Sequence, residues 1–442
     1  MIIQNGRCIS MDMTGYGVIN VGNKEYHIAN LLPGELATVD VFDHGYGKVV
    51  QIHEASIDRQ KPPCPIYSEC GGCQLQHLKY QTQLDLKTQF VKSSLEANGI
   101  SSETLLPCIG MKDPYHYRNK VQMVFSEKGK RIVSGFYEEN THRIINVDNC
   151  HIQDEVANKI IKTCKELFLK HKIRPYVEDR GTGLIRHILV KRSRATEEVL
   201  VVVVTVEEMF PGRNNFVKDL RLLHPEITTI VQNVNARKTS VVLGDFERVI
   251  YGKGTITDVL LDKKFIISSK SFYQVNSRQT EILYKKAIEL AKPNDTDVVL
   301  DAYSGIGTIG ILMAEHAKKV LAVEINPVSV KNAIANARLN NVRNIRFNQD
   351  NAGSYINLLV SEKTAVDIVV VDPPRLGLEA EFITELIALS PKKIVYISCD
   401  PVTLSRDLKI ITNANYEIKR IQPVDMFAQT NHVESVSLLS LK

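Results

Sequence analysis

The residues able to do chemistry sit where short apolar runs end. The run Ile394-Val395-Tyr396-Ile397 leads into Ser398-Cys399-Asp400-Pro401. Pro401 suits the first turn of a helix, where its missing N–H costs nothing, and Asp400 suits the N-cap. Cys399 is therefore predicted at a strand-to-helix corner, beside the positive end of a helix, where thiolate is favoured. That dipole is worth about 0.3–1 kcal/mol, which lowers a free thiol's pKa of about 8.5 by less than a unit. A nucleophile would need more help from its surroundings. One cysteine seen alone reads as a core residue; its neighbours argue otherwise.

Residues 298–310, Val-Val-Leu-Asp-Ala-Tyr-Ser-Gly-Ile-Gly-Thr-Ile-Gly, read as strand, glycine turn and helix start. A second strand, 320–324, ends in Glu324, where a doubly wound sheet places an acid against ribose hydroxyls. Gly305-x-Gly307-x-x-Gly310 would also suit a dinucleotide. Asp301 before the turn, together with Glu324, looks more like an S-adenosylmethionine pocket, because that cofactor has no pyrophosphate to cradle. A third strand, 366–371, ends in Asp372-Pro373-Pro374-Arg375, and the fourth ends at Cys399. Asp301, Glu324, Asp372 and Cys399 are all expected at strand ends facing one crevice. Any one acid alone would read as a helix cap or a solvated loop residue.

A second constellation lies far upstream. Cys64-Pro65-Ile66-Tyr67-Ser68-Glu69-Cys70-Gly71-Gly72-Cys73 packs three cysteines into ten residues, with glycines that let backbone approach a cluster. Cys108, Cys150 and Cys164 are the available fourth ligands. Four-thiolate zinc and an iron–sulfur cluster both satisfy the chemistry.

The elements that must carry these groups belong to a chain of 442 residues, too long for one core. The 44% hydrophobic content and a mean hydropathy of -0.11 are those of a soluble globular protein. The longest apolar run, 199–206, is too short to span a bilayer, and no signal pattern opens the chain. A cytoplasmic monomer is expected. There, eight cysteines argue for metal or catalysis over disulfides. The net charge of +5 excludes nothing by itself. Two basic clusters, Arg118/Lys120/Lys128/Lys130/Arg131 and Arg186/Lys191/Arg192/Arg194, read as solvated faces or as a phosphate track.

Residues 1–56 show short alternating segments between glycine turns, the pattern of a small β-barrel. After the linker Arg59-Gln60-Lys61-Pro62-Pro63, residues 57–265 form a central α+β domain. It is predicted to hold a helix over 76–98, which would pack on the catalytic domain, and another near 154–170. Strands are expected at 121–125, 132–137, 184–191, 199–206, 229–233 and 240–243. Residues 266–442 alternate strand and helix, the pattern of an α/β, Rossmann-like domain.

On these residues the chain resembles the bacterial RNA 5-methyluridine methyltransferases, above all those acting on 23S ribosomal RNA. The resemblance covers nearly the whole length. It implies an N-terminal TRAM domain, an OB-like RNA-binding barrel, and a C-terminal class I methyltransferase domain. It further implies a four-iron, four-sulfur cluster on Cys64, Cys70, Cys73 and Cys150. Gln274, in Ser271-Phe272-Tyr273-Gln274-Val275-Asn276, with Tyr303, Glu324 and Asp372, would contact S-adenosylmethionine. Cys399 would be the nucleophile, and Glu434, in Phe427-Ala428-Gln429-Thr430-Asn431-His432-Val433-Glu434, the base. Ala428-Gln429-Thr430 departs from the commoner Pro-His-Thr and is expected to bear on target choice. His432 would orient Glu434 or a phosphate, or serve structure alone.

The implied chemistry is covalent. Carbon 5 of uracil is a poor nucleophile; a thiolate on carbon 6 makes the ring an enolate, and carbon 5 then takes the methyl group. Glu434 would remove the carbon 5 proton, a task worth about 10²–10⁴ in rate. The uridine must be unpaired or flipped out, which predicts a single-stranded RNA target, with no membrane involved; that this is large-subunit ribosomal RNA is what the resemblance implies. The alternatives are a tRNA uridine C5 methyltransferase and a purine amino-methyltransferase, which Asp372-Pro373-Pro374 also resembles, although Arg375 stands where an aromatic would. A non-enzymatic iron–sulfur RNA-binding module would leave Cys399 idle. An NAD enzyme lacks any hydride-transfer constellation.

Overall fold

The computed structural model describes residues 1–442 apart from 130, 139, 140, 142, 238 and 240 and the side chain of Asp43. Five strands open the chain: β1 (Ile2–Met11), β2 (Gly17–Val21), β3 (Lys24–Ala29), β4 (Leu36–Val41) and β5 (Tyr46–Glu54). They close into a barrel in the order β1-β2-β3-β5-β4 around Cys8, Ile19, Ile28, Leu31 and Val39. Gly17 permits closure, since a Cβ there would lie 2.4 Å from the Leu31 carbonyl oxygen. The short helix α1 (Tyr67–Cys70) and α2 (Tyr80–Ala97) follow.

The middle of the chain forms a seven-stranded sheet. Its strands are β6 (Lys120–Lys128), β7 (Arg131–Tyr137), β8 (Ile144–Asn146), β9 (Ile185–Arg192), β10 (Val199–Thr205), β11 (Ile227–Val234) and β12 (Phe246–Tyr251), in the order β12-β11-β10-β9-β6-β7-β8. Helices α3 (Glu155–Lys170) and α4 (Arg213–Leu223) cover one face. The apolar run in β10 is explained by burial on both sides. Val199, Val201 and Val203 face the helices, while Leu200, Val202 and Val204 pack toward the C-terminal part of the chain.

The strand expected at 240–243 is not found: residues 241–244 are loop, residue 240 lies outside the described residues, and β12 begins at Phe246. Helix α4 has no strong sequence signal because only Phe216 and Leu220 of it are buried.

The hairpin β13 (Thr255–Leu260) and β14 (Lys263–Ser268) leads to α5 (Ser277–Ala291). Then come β15 (Val298–Ala302), α6 (Thr308–Met313), β16 (Lys319–Glu324), α7 (Pro327–Leu339), β17 (Ile345–Gln349) and α8 (Ala352–Ser361). The chain ends with β18 (Ile368–Val371), α9 (Ala380–Leu389), β19 (Lys393–Ser398), α10 (Pro401–Asn413), β20 (Tyr416–Val424) and β21 (Glu434–Leu441). The sheet order is β17-β16-β15-β18-β19-β21-β20, with every strand parallel except β21, which runs antiparallel to its neighbours β19 and β20. Strand order reverses between β15 and β18, which places the ligand crevice at their carboxyl ends. Helix α2 docks on this last sheet: Lys87 and Asp425, both fully buried, form an ion pair at 2.6 Å.

Candidate active site

The corner after β19 forms as its sequence dictates. Asp400 caps α10, its carboxylate accepting the N–H groups of Val402 (2.9 Å) and Thr403 (3.0 Å), with Pro401 in the first turn. Cys399 sits half-buried at the pocket edge. The expected tilt toward thiolate is overturned: burial first, then the charges of Glu434 and Asp372, push the thiol up to about 11, against an opposing pull from Arg375. A helix end worth less than a unit loses to desolvation and two carboxylates.

Glu434 reaches the same place from the far end of the chain. Because β21 runs antiparallel to β19 and Ser398 pairs with Ser435, the first residue of β21 lies beside the carboxyl ends of the parallel strands. Glu434 is 4% exposed, and its Oε2 has no hydrogen-bond partner among the described residues. Burial, then the charge of Asp372, pushes its carboxyl up to about 8. Asp372 is partly open to the pocket yet surrounded by enough protein to rise to about 7. Two acids so placed do not both ionise readily, so the pair tends to keep a proton. The exposed Arg375 lies 3.3 Å, Nη2 to Nε2, from His432, and burial together with that charge holds His432 down to about 4. The imidazole is thus neutral and accepts from Arg375.

The opposite end of the pocket is built by the turn after β15. Gly305 (φ 56°) and Gly307 (φ 83°) take left-handed conformations, and Tyr303 does so at φ 65°, a strained choice for a side-chain-bearing residue. Glu324 is fixed by two backbone donors, Gly305 N–H at 3.0 Å and Asn326 N–H at 2.8 Å. Gln274 is held through its carbonyl oxygen, which accepts from Asn119 Nδ2 at 3.1 Å. Ser304 Oγ is buried without a partner among the described residues.

Asp301 does not join them. It is buried, accepts Gly310 N–H at 2.8 Å and is pushed up to about 7 by burial. A Cβ on Gly310 would meet its Oδ2 at 2.7 Å, so that glycine serves the close approach of α6 to β15.

A pocket of about 610 Å³ gathers Gln274, Tyr303, Glu324, Asp372, Cys399 and Glu434, together with Arg375, Phe427 and His432. That volume suits a nucleoside-sized ligand beside a second ring. A second cavity of about 330 Å³ is lined by Cys64, Cys70, Cys73 and Cys150. Burial pushes the Cys73 and Cys150 thiols up to about 12 and about 11. Cys108 and Cys164 are buried elsewhere and do not line it. Among the described residues no group of three or more His, Cys, Asp or Glu side chains is drawn tightly enough to hold a metal ion. Arg118 borders both cavities, and its Nε is buried without a partner among the described residues.

The basic clusters divide. Lys128 and Arg131 are exposed, and Lys130 lies outside the described residues. The second cluster is largely turned inward. Arg186 donates to the carbonyl oxygens of Asn235 and Arg237, Lys191 to those of Ser268 and Ser271, and Arg194 to that of His116. Arg192 pairs with Asp154 at 3.0 Å. Burial pushes Lys191 down to about 7. That cluster ties the central sheet to its neighbours and is not a phosphate track. Among the described residues no helix is long and apolar enough to cross a membrane.

Gln83 and Lys87 carried no functional expectation. The available signal was two polar residues on the buried face of α2, between Leu84, Phe90 and Val91.

Residues 245–442 match the family model of the tRNA (uracil-5-)-methyltransferases. The chain is 41% identical over 433 residues to a protein of Halalkalibacterium halodurans described as an uncharacterized RNA methyltransferase, covering 97% of this chain and 94% of that one. A protein of Clostridium acetobutylicum with the same description is 41% identical over 432 residues, covering 96% and 94%. The crystal structure of the Pyrococcus abyssi tRNA (uracil-54, C5)-methyltransferase in complex with S-adenosyl-L-homocysteine superposes with a TM-score of 0.80. It is 28% identical, covering 99% of this chain and 100% of that one. The shared length, the crevice at the strand ends and the residues that line it place the chain in the tRNA (uracil-5-)-methyltransferase family, as an S-adenosylmethionine-dependent RNA methyltransferase.

Proposed function

We propose that the chain methylates carbon 5 of a uridine in RNA through a covalent adduct on Cys399, with Glu434 as the base. The observation that carries this is the convergence, in one pocket, of a thiol and a buried carboxyl whose Oε2 has no partner among the described residues. Cys399 would add to carbon 6 of the ring, with Arg375 as the nearby cation that favours thiolate. S-adenosylmethionine supplies the methyl group. Gln274, Tyr303, Glu324 and Asp372 would hold it, Glu324 through ribose hydroxyls. Glu434 then takes the carbon 5 proton and the Cys399–carbon bond breaks. A carboxyl raised toward neutrality by burial suits that step.

The target we propose is a flipped-out or unpaired uridine of 23S ribosomal RNA, on the resemblance of the motifs. A transfer RNA target is the second reading, favoured by the whole-length match to an enzyme described as acting on uracil-54 of tRNA. Residues 1–56 are proposed as a TRAM-like RNA-binding barrel, 57–265 as the central domain and 266–442 as the catalytic domain. Cys64, Cys70, Cys73 and Cys150 are proposed to hold a four-iron, four-sulfur cluster. All four line one cavity, and a cluster spreads its thiolates wider than a zinc ion, whose ligands sit about 2.3 Å from the metal.

Incubation with labelled S-adenosylmethionine and either ribosomal or transfer RNA, followed by nucleoside analysis, tests the reading. 5-Methyluridine is expected. A methylated purine would overturn the reaction, and the RNA that takes label decides the target.

A further inference from the structure

Residues 425–433 connect β20 to β21 and bring Phe427 and His432 into the pocket wall, directly before Glu434. This connection is tied from outside along its length. Asp425 accepts from Lys87 Nζ (2.6 Å) and from the Tyr80 hydroxyl (2.8 Å). Asn276 Nδ2 donates to the Met426 carbonyl oxygen at 3.0 Å, and Tyr117 donates to that of Ala428 at 3.0 Å.

Its centre is Gln429, which is 1% exposed and left-handed at φ 72°. The Gln429 N–H donates to Gln83 Oε1 at 3.2 Å, and Gln83 Nε2 donates to Gln429 Oε1 at 3.1 Å. Gln83 is fully buried and also donates to the carbonyl oxygens of Leu75 (2.9 Å) and Leu78 (2.8 Å). The Gln429 carbonyl oxygen accepts the N–H groups of Gln74 and Leu75, both at 3.0 Å. Those residues directly follow Cys73.

Neither glutamine lines the pocket. A sheet edge that needed only burial could use apolar side chains here. A buried, mutually hydrogen-bonded polar pair instead fixes one geometry where apolar packing tolerates several. The backbone at Gln429 is in a conformation that side-chain-bearing residues keep only when their surroundings hold it.

We propose that Gln83 and Gln429 form a clamp that positions the wall carrying Phe427, His432 and Glu434 against the reacting base. They are positioning residues, and the proposal rests on Glu434 acting as the base. The departure of Ala428-Gln429-Thr430 from the commoner family pattern is then part of a buried support, not a contact with the target. Cofactor contacts on β15 and β16 lie outside the clamp.

Gln83→Leu and Gln429→Leu in the full chain test this. Affinity for S-adenosylhomocysteine is expected to stay as in the parent enzyme. Turnover should fall roughly tenfold to a hundredfold, the scale of a misplaced catalytic group. A methylated protein–RNA adduct should build up, because proton removal lags behind methyl transfer. The double variant should be no worse than either single one, since both break the same pair. Parent-like turnover, cofactor affinity falling in step with turnover, or additive losses would each overturn the clamp. Failure of both variants to fold would assign the pair to stability alone and overturn it as well. An adduct with Glu434→Gln and none with Gln83→Leu sinks the clamp only; no adduct with Glu434→Gln sinks the base assignment beneath it.

Discussion

Cys399 and Glu434 occupy the position that continues the antiparallel register of β19 and β21, one step past the Ser398–Ser435 pair. Residues opposite one another in such a ladder project from the same face of the sheet. A thiol at the end of one strand and a carboxyl at the start of another, 35 residues later by sequence number, therefore meet at one pocket wall. Their proximity adds to burial, the larger cause, in raising the thiol. The arrangement puts both side chains within one pocket, as the proposed covalent mechanism requires.

That order of action predicts different failures. Cys399→Ala should abolish methylation and give no covalent complex with RNA. Glu434→Gln should add to carbon 6 and transfer the methyl, then stall as an adduct that survives denaturing electrophoresis. An active Cys399→Ala enzyme would end the covalent account.

The raised carboxyl of Glu434 sets a pH dependence. Its base form is scarce below about pH 8 in the free enzyme, so the rate of adduct breakdown should climb as pH rises toward that value. Arg375 favours the ionised form of both Glu434 and Cys399. Arg375→Gln should therefore move the rising limb to higher pH. Single-turnover rates across pH with each enzyme check this; a limb that stays in place would remove Arg375 from the electrostatic account.

Lys87 and Asp425 test how α2 is held. Removing one member of a fully buried pair strands the other charge, at a cost of about 3–5 kcal/mol. Lys87→Met should show that loss in urea denaturation. Lys87→Met with Asp425→Asn should lose less, because the stranded charge is gone. Equal losses would mean that Tyr80 and the Phe427 amide, which also bind Asp425, carry most of the contact.

The cysteine cavity makes a prediction about metal. Anaerobically purified protein should be brown and contain iron and acid-labile sulfide, and Cys150→Ser should bleach it. Cys108→Ser and Cys164→Ser should keep the colour, because neither residue lines the cavity. Colourless protein carrying one zinc would overturn the cluster. Because Cys150 lies far along the chain from the other three, losing the ligands should destabilise residues 64–150 more than the C-terminal sheet. Hydrogen exchange of the two regions distinguishes these outcomes.

What the sequence determined by itself was mostly local. The glycine turn at 305–307, the Asp400–Pro401 cap and the strands ending in Glu324, Asp372 and Cys399 are each written in a few neighbouring residues, and each formed as read. The barrel and α2 followed from turn spacing and apolar periodicity for the same reason. Cys150 was separable from Cys108 and Cys164 on resemblance alone; in the fold it lines the cavity shared with Cys64, Cys70 and Cys73, and the other two do not. Tertiary structure decided the rest. Asp301 turned inward to serve α6, Arg186 and Lys191 were spent on carbonyl oxygens, and the Cys399 thiol rose instead of falling. Gln83 met Gln429 only because α2 docks on the last hairpin. Backbone conformation is set by near neighbours, whereas desolvation, charge and the choice of partner depend on groups hundreds of residues away that only the packed fold brings together.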